Sequence, residues 1–113
     1  MKKIEAIIRP TKLGDISTSL EKAGCPGMMI TEIEGYGKQK GIEQEFHGKK
    51  YKIGLLTKVK IEIVVKDEDV DKIVNIICQE GFTGKEGDGK IFISNIENAI
   101  RIRTKEKGDI AIS

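Results

Sequence analysis

The chain has 113 residues, which allows one domain with a modest core. Apolar residues make up 38% and charged residues 34%, which excludes a disordered tail or a collagen-like repeat, and no run approaches the ~18 apolar residues of a membrane span. Lys and Arg total 20 against 18 Asp and Glu, a net charge of +2 that is too balanced for a dedicated nucleic-acid binder. Aromatic residues are 4% with no Trp, so base-stacking platforms are hard to build. The N-terminal segment Met1-Lys2-Lys3-Ile4-Glu5 lacks the apolar run of a signal peptide, and the expectation is a soluble cytoplasmic protein.

Residues Lys3 to Arg9 alternate, with Ile4, Ala6 and Ile8 on one face, which predicts a strand. Pro10 then suits the first position of a helix, and Leu13, Ile16, Leu20 and Ala23 repeat with helical period before Gly24 closes it. A second strand is predicted around Met29 to Gly35. A third, from Lys58 to Lys66, is the clearest signal in the chain: Val59, Ile61, Ile63 and Val65 share one face, and Lys60, Glu62 and Val64 the other. Asp67 reads as the N-cap of a second helix, with Val70, Ile73, Val74 and Ile77 as its inward stripe and Gly81 as its end. Strand-like segments follow at Lys90 to Ser94 and at Ala99 to Thr104.

The order β-α-β-β-α-β describes an α+β fold, the ferredoxin-like double βαβ unit, with a long loop between strands 2 and 3. Two helices would cover one sheet face and leave the other open. That open face, with Val64 beside Lys60 and Glu62, is the kind that packs against another subunit, so an oligomer is expected.

Two free cysteines, Cys25 and Cys78, show no metal-ligand spacing and read as small buried hydrophobes. His47 is the single histidine, so neither a usual metal site nor a Ser–His or Cys–His pair can be assembled, and no catalytic constellation is visible. Glu62 and Asp88 are carboxylates whose spacing does not mark them as an acid/base pair. The chemistry points to binding rather than turnover.

Three features exceed a plain fold. The connection Gly37 to Thr57 is longer than a hairpin requires and reads as a solvated arm that touches a partner, against a plain disordered insertion. Thr83-Gly84-Lys85-Glu86-Gly87-Asp88-Gly89-Lys90 concentrates three glycines whose exposed amides suit phosphate oxygens. Its G-x-x-x-x-G-K spacing is not a Walker A loop, because Ile91-Phe92-Ile93 follows instead of Ser or Thr and a helix. Arg101-Ile102-Arg103, if extended, sets two guanidiniums on one face, suited to an oligophosphate; the plainer reading is a charge-guarded edge strand.

These segments together resemble the PII nitrogen-regulatory family across nearly the whole chain. Ile4-Glu5-Ala6-Ile7-Ile8-Arg9-Pro10 is similar to its opening strand, and Gly35-Tyr36-Gly37-Lys38-Gln39-Lys40-Gly41 to the entry of its T-loop (residues 37–57). Lys58-Val59-Lys60-Ile61-Glu62 resembles the exit strand, residues 82–90 its phosphate-binding B-loop, and Arg101-Ile102-Arg103-Thr104 the start of its C-terminal segment (99–113). The resemblance implies a single PII-like domain over 1–113 and a homotrimer with nucleotide sites in the clefts between subunits. ATP or ADP would be held by Gly37, Lys38, Gln39, Gly87, Asp88, Gly89 and Lys90, with Ile7, Glu62 and Val64 around base and ribose. Gly27 and Met28 would come from the neighbouring chain, and Arg101 and Arg103 would reach across the cleft. Mg²⁺ would be completed by phosphate oxygens, the Gln39 amide oxygen and 2-oxoglutarate, the last also meeting Lys40, Gly41, Lys58 and Gly87.

The same resemblance implies a signalling protein rather than an enzyme. Its T-loop would control an ammonium transporter or a nitrogen-metabolism enzyme, and it would meet a membrane only through a protein partner. The alternatives are an adenylate-only sensor that ignores 2-oxoglutarate and a ferredoxin-like nucleotide hydrolase. Tyr51 matches the residue uridylylated in some bacteria, but its neighbours in Phe46-His47-Gly48-Lys49-Lys50-Tyr51 differ from the usual pattern. Met29, Phe82 and Glu86 also depart from it, and they bear on ATP/ADP discrimination.

Overall fold

The computed structural model describes the backbone of residues 1–36, 42–46, 49–53 and 55–113, and the side chains of residues 1–34 and 57–113. The strands are β1 (Lys2–Ile8), β2 (Met29–Tyr36), β3 (Ile42–Phe46), β4 (Lys49–Ile53), β5 (Leu55–Val65) and β6 (Lys90–Asn95); the helices are α1 (Leu13–Lys22) and α2 (Val70–Gly81). Four strands form an antiparallel sheet in the order β2-β5-β1-β6, and β3 and β4 form a separate two-stranded ribbon. The double βαβ arrangement expected from the sequence is thus present, as an α+β fold.

Period-2 alternation does the sorting. Ile4, Ala6 and Ile8 of β1 and Val59, Ile61, Ile63 and Val65 of β5 are buried on one sheet face, where Ile16 and Leu20 of α1 and Ile73 and Ile77 of α2 close over them. Each of the Val, Ile and Leu side chains contributes on the order of 1.5–3 kcal/mol by leaving water. Helix α1 ends in a Schellman motif: Gly24 takes φ +81°, Cys25 N donates to Leu20 O at 3.1 Å and Gly24 N to Glu21 O at 3.1 Å. The open face carries Glu5 directly opposite Glu62, two like charges compensated within their own strands by Lys3 (2.9 Å) and Lys60 (3.0 Å).

Several expectations are corrected. The long connection between β2 and β5 is present as expected but carries the β3–β4 ribbon, and β5 begins at Leu55, not Lys58. Its sparse apolar residues among charges hid the alternation, while the register sets Glu43 opposite Lys52 and Glu45 opposite Lys50, cross-strand neighbours of opposite sign. Asp67 does not cap α2. It opens a 3₁₀ turn, Asp67–Asp69, and its carboxylate accepts from the Met1 ammonium at 3.0 Å, an attraction that lowers its pKa. Cys78 is exposed on α2, not buried, while Cys25 is half-buried and packs against the edge of the core.

The segment Ala99 to Thr104 is not a strand. After an isolated bridge between Ile100 and Lys107 the chain turns at 102–104, Lys105 takes φ +61°, and Arg101 N donates to Glu106 O at 2.9 Å. The Arg101 guanidinium draws the turn closed, which period counting along the chain does not register.

Candidate functional site

The segment 83–90 joins α2 to β6 at the end of the sheet where β1 finishes. Its glycines behave as the composition requires, with Gly84, Gly87 and Gly89 at φ +85°, +98° and +104°. Gly89 is also pressed onto β1: a Cβ there would stand 1.7 Å from the Ile7 carbonyl oxygen. A glycine at that point lets the loop lie directly on the strand.

Asp88 organises the loop from within. Its Oδ2 accepts the backbone N–H of Thr83 at 2.9 Å and of Gly84 at 3.0 Å, and its Oδ1 accepts the Thr83 hydroxyl and the Arg9 Nε–H, the latter at 3.1 Å. Arg9 reaches the loop a second time through Nη2, which donates to Glu86 O at 2.7 Å. These donors hold the Asp88 carboxyl far below the usual carboxylate range, the Thr83 hydroxyl contributing most. Lys58 Nζ donates to Gly87 O at 2.6 Å. Burial lowers the Lys58 pKa, the nearby Arg9 charge lowers it further, and Asp88 opposes the shift. Lys58 thus stands at the base of the loop and Lys90 at its exit, while the Arg9 charge is taken up by Asp88; cations beside three positive-φ glycines suit an anion.

On the helix side a groove of about 370 Å³ lies between α2 and β6, lined by Val74, Cys78, Phe82, Ile91 and Ile93, with Asp88 and Lys90 of the loop also on its wall. The Phe82 ring is exposed and lies over Gly84, 3.2 Å from where a Cβ would project.

The structure gathers Ile7, Lys58 and Gly87 to Lys90 at one end of the sheet. Glu62 and Val64 lie further along β5, opposite Glu5 and Lys3. Glu62 pairs with Lys60 and Asp88 with Arg9, so these two carboxylates are not an acid/base pair. Gly27 and Met28 precede β2, the edge of the sheet remote from β6, and in one chain they do not join the loop. Arg101 and Arg103 lie beyond the far end of β6 and do not share a strand face. Arg101 Nη1 donates to Glu106 Oε1 at 2.8 Å and Nη2 to Ile110 O at 3.0 Å and Ser113 O at 2.9 Å, while Arg103 is exposed. Gly37, Lys38, Gln39, Lys40, Gly41 and His47 lie outside the described residues, as does the side chain of Tyr51.

Sequence reasoning did not single out Arg9 or Thr83 as organisers of the loop. The available signal was Asp88 between two glycines, a carboxylate where a phosphate-binding loop has no use for negative charge unless donors surround it.

Comparison with known proteins identifies the family. Residues 1–106 match the family model described as nitrogen regulatory protein P-II. The chain is 54% identical to nitrogen regulatory protein P-II 2 of Methanothermobacter thermautotrophicus over 99% of this chain and 97% of that one. It is 51% identical to nitrogen regulatory protein P-II of Pasteurella multocida and 50% identical to nitrogen regulatory protein P-II 1 of Escherichia coli K12, in each case over 99% of this chain and 100% of the relative. With a family model matched over residues 1–106 and relatives about half identical over nearly their whole length, the chain belongs to the nitrogen regulatory protein P-II family.

Proposed function

We propose that this protein is a cytoplasmic regulator of nitrogen metabolism that binds ATP or ADP and, with Mg-ATP in place, 2-oxoglutarate. The observation that carries the reading is the 83–90 loop: three positive-φ glycines, of which Gly89 lies on β1, with Lys58 at 2.6 Å from Gly87 O and Lys90 at its exit. Phosphates would be held by Gly87 to Lys90 and Lys38, with Gly37 and Gln39 completing that side, and base and ribose by Ile7, Glu62 and Val64. The amide groups and cations fit a polyanion, and the Gly89 contact leaves no side chain to obstruct it.

The metal is proposed on the chemistry of the donors. Among the described residues no cluster of three or more His, Cys, Asp or Glu side chains is placed to hold an ion. A hard cation there would draw its oxygens from phosphates, 2-oxoglutarate and the Gln39 amide. When bound, Mg²⁺ supplies charge that lets two anions share one cleft. Lys58 would pair with the distal carboxylate of 2-oxoglutarate, while Lys40, Gly41 and Gly87 bound the rest of its site.

A homotrimer is part of the proposal. Gly27 and Met28 on one sheet edge and the loop at the other edge meet only if two chains supply them. Apolar side chains near both edges support such packing: Met29 is 60% and Ile30 48% exposed beside β5, and Phe92 56% and Ile93 50% on β6. Arg101 and Arg103 would then approach the phosphates of a neighbouring chain. The 37–57 arm would carry the ligand state to an ammonium transporter or a nitrogen-metabolism enzyme. No helix among the described residues is long and apolar enough to cross a membrane.

Isothermal titration tests this directly: ATP first, then 2-oxoglutarate into the Mg-ATP complex, repeated with Lys58→Ala and Gln39→Ala. Binding of 2-oxoglutarate that needs Mg²⁺ and both side chains is expected. ATP binding without a 2-oxoglutarate response leaves an adenylate sensor. Sustained phosphate release would instead support a hydrolase, and absence of nucleotide binding overturns the mechanism.

A further inference from the structure

A glycine-rich loop is a poor receptor unless something other than its glycines gives it shape. Each residue left free to rotate must be ordered when the ligand arrives, and that ordering weakens binding. In segment 83–89 three residues sit at positive φ, so the backbone by itself does not select the observed path.

Side chains supply the selection: Lys58 holds the Gly87 carbonyl at 2.6 Å, and Asp88 and Arg9 make the remaining ties. Asp88 ties the start of the loop to its end by accepting the Thr83 and Gly84 amides at 2.9 and 3.0 Å. Arg9 ties the loop to the sheet by donating to Asp88 Oδ1 at 3.1 Å and to Glu86 O at 2.7 Å. Arg9 directly follows β1 and precedes Pro10, and its backbone is held at φ −66°, ψ 136°, the extended region that a following proline enforces. The charge arrangement is also informative. A carboxylate within an anion-receiving loop would repel its ligand, yet Asp88 turns both oxygens toward Thr83, Gly84 and Arg9. The guanidinium that neutralises it is occupied in doing so.

We infer that Arg9 and Asp88 form a staple that holds the 83–89 loop in its anion-receiving shape before any ligand arrives, Arg9 acting as a positioning residue rather than as a phosphate contact. The inference rests on the reading of this loop as a phosphate receptor, and it assigns the affinity of that receptor partly to a residue outside the loop. Arg9 at this position is not replaceable by Lys, whose single ammonium lacks the planar fork that reaches Asp88 and the Glu86 carbonyl together.

The test is a double-mutant cycle on the full chain with Arg9→Ala, Asp88→Ala and both, reading ATP affinity by titration and amide exchange of Thr83 and Gly84 without nucleotide. Each single variant is expected to bind ATP at least ~10-fold more weakly, and the double variant no more weakly than the worse single, because both remove one staple. Thr83 and Gly84 amides should exchange faster in both single variants, and Arg9→Lys should restore neither readout. Losses that multiply would make Arg9 an independent phosphate contact and overturn the inference, as would unchanged affinity. Unchanged exchange in both variants overturns it whatever the affinity does. Failure of the unsubstituted protein to bind ATP counts against the sensor reading alone, and the exchange measurement then decides the staple by itself.

Discussion

Gly89 and Ile7 are in backbone contact so close that a Cβ on Gly89 would stand 1.7 Å from the Ile7 carbonyl oxygen. No rotation of a flexible side chain relieves such an overlap; either the loop lifts from β1 or the strand end moves. Gly14, exposed in the first turn of α1, has nothing within 4 Å of the same hypothetical atom.

The same substitution is therefore expected to act with opposite sign at these two positions. Gly89→Ala, which also strains φ +104°, should lower stability and weaken ATP binding together. Gly14→Ala should raise stability by about 0.5–1 kcal/mol, since alanine is the better helix former, and leave ATP binding unchanged. Urea unfolding and nucleotide titration of both variants check this; a Gly89→Ala protein with normal affinity would show that the loop does not depend on its seat against β1.

Acid stability should report the loop. The Asp88 pKa is far below its ordinary 3.8, so the carboxylate binds protons less readily folded than unfolded. Its stabilisation is present above the unfolded value and is lost as pH falls below it. Asp67, lowered by the Met1 ammonium, has the same sign. Urea midpoints followed downward from roughly pH 5 should fall less steeply in Asp88→Asn than in the unsubstituted protein. Parallel profiles would mean that the Asp88 bonds contribute nothing to folding.

The two arginines of the C-terminal segment should separate. Arg101 bonds to Glu106, Ile110 and Ser113, so Arg101→Ala is expected to loosen residues 101–113 and speed amide exchange at Arg101 and Gly108, whose N–H groups close this turn. Arg103→Ala, at an exposed position of the turn, should leave that exchange unaltered. Equal effects would show that the guanidinium of Arg101 does not hold the turn.

Ile61 sits at the centre of β5 with no exposed surface, between β1 and β2. Ile61→Ala should cost about 2–5 kcal/mol of stability, through lost burial and the cavity left behind. Ile102→Ala, which removes a side chain that is 94% exposed, should cost little in the isolated chain. Denaturant midpoints at fixed protein concentration provide the comparison.

Much of this was legible in one dimension. Alternation at Ile4, Ala6 and Ile8 and at Val59 to Val65, and helical spacing at Ile16, Leu20, Ile73 and Ile77, each depend on neighbours within a few residues. The buried set matches them. The glycines of 83–90 marked the loop because their backbone freedom belongs to the residue type. The same local rules misread Ala99 to Thr104 as a strand, because the Arg101–Glu106 pair that bends the segment leaves no periodic trace.

What the amino-acid order determined by itself was therefore the elements whose cause is local, together with the resemblance carried by short motifs. Tertiary structure decided which distant groups share one place: Arg9 beside Asp88, Lys58 under Gly87, and Gly89 on Ile7. Strand pairing brings these residues together after long stretches of intervening chain, and that pairing is set by the burial of a whole sheet face rather than by either partner. A staple of that kind has no signature in periodicity or composition, since its two halves become neighbours only once the core has formed.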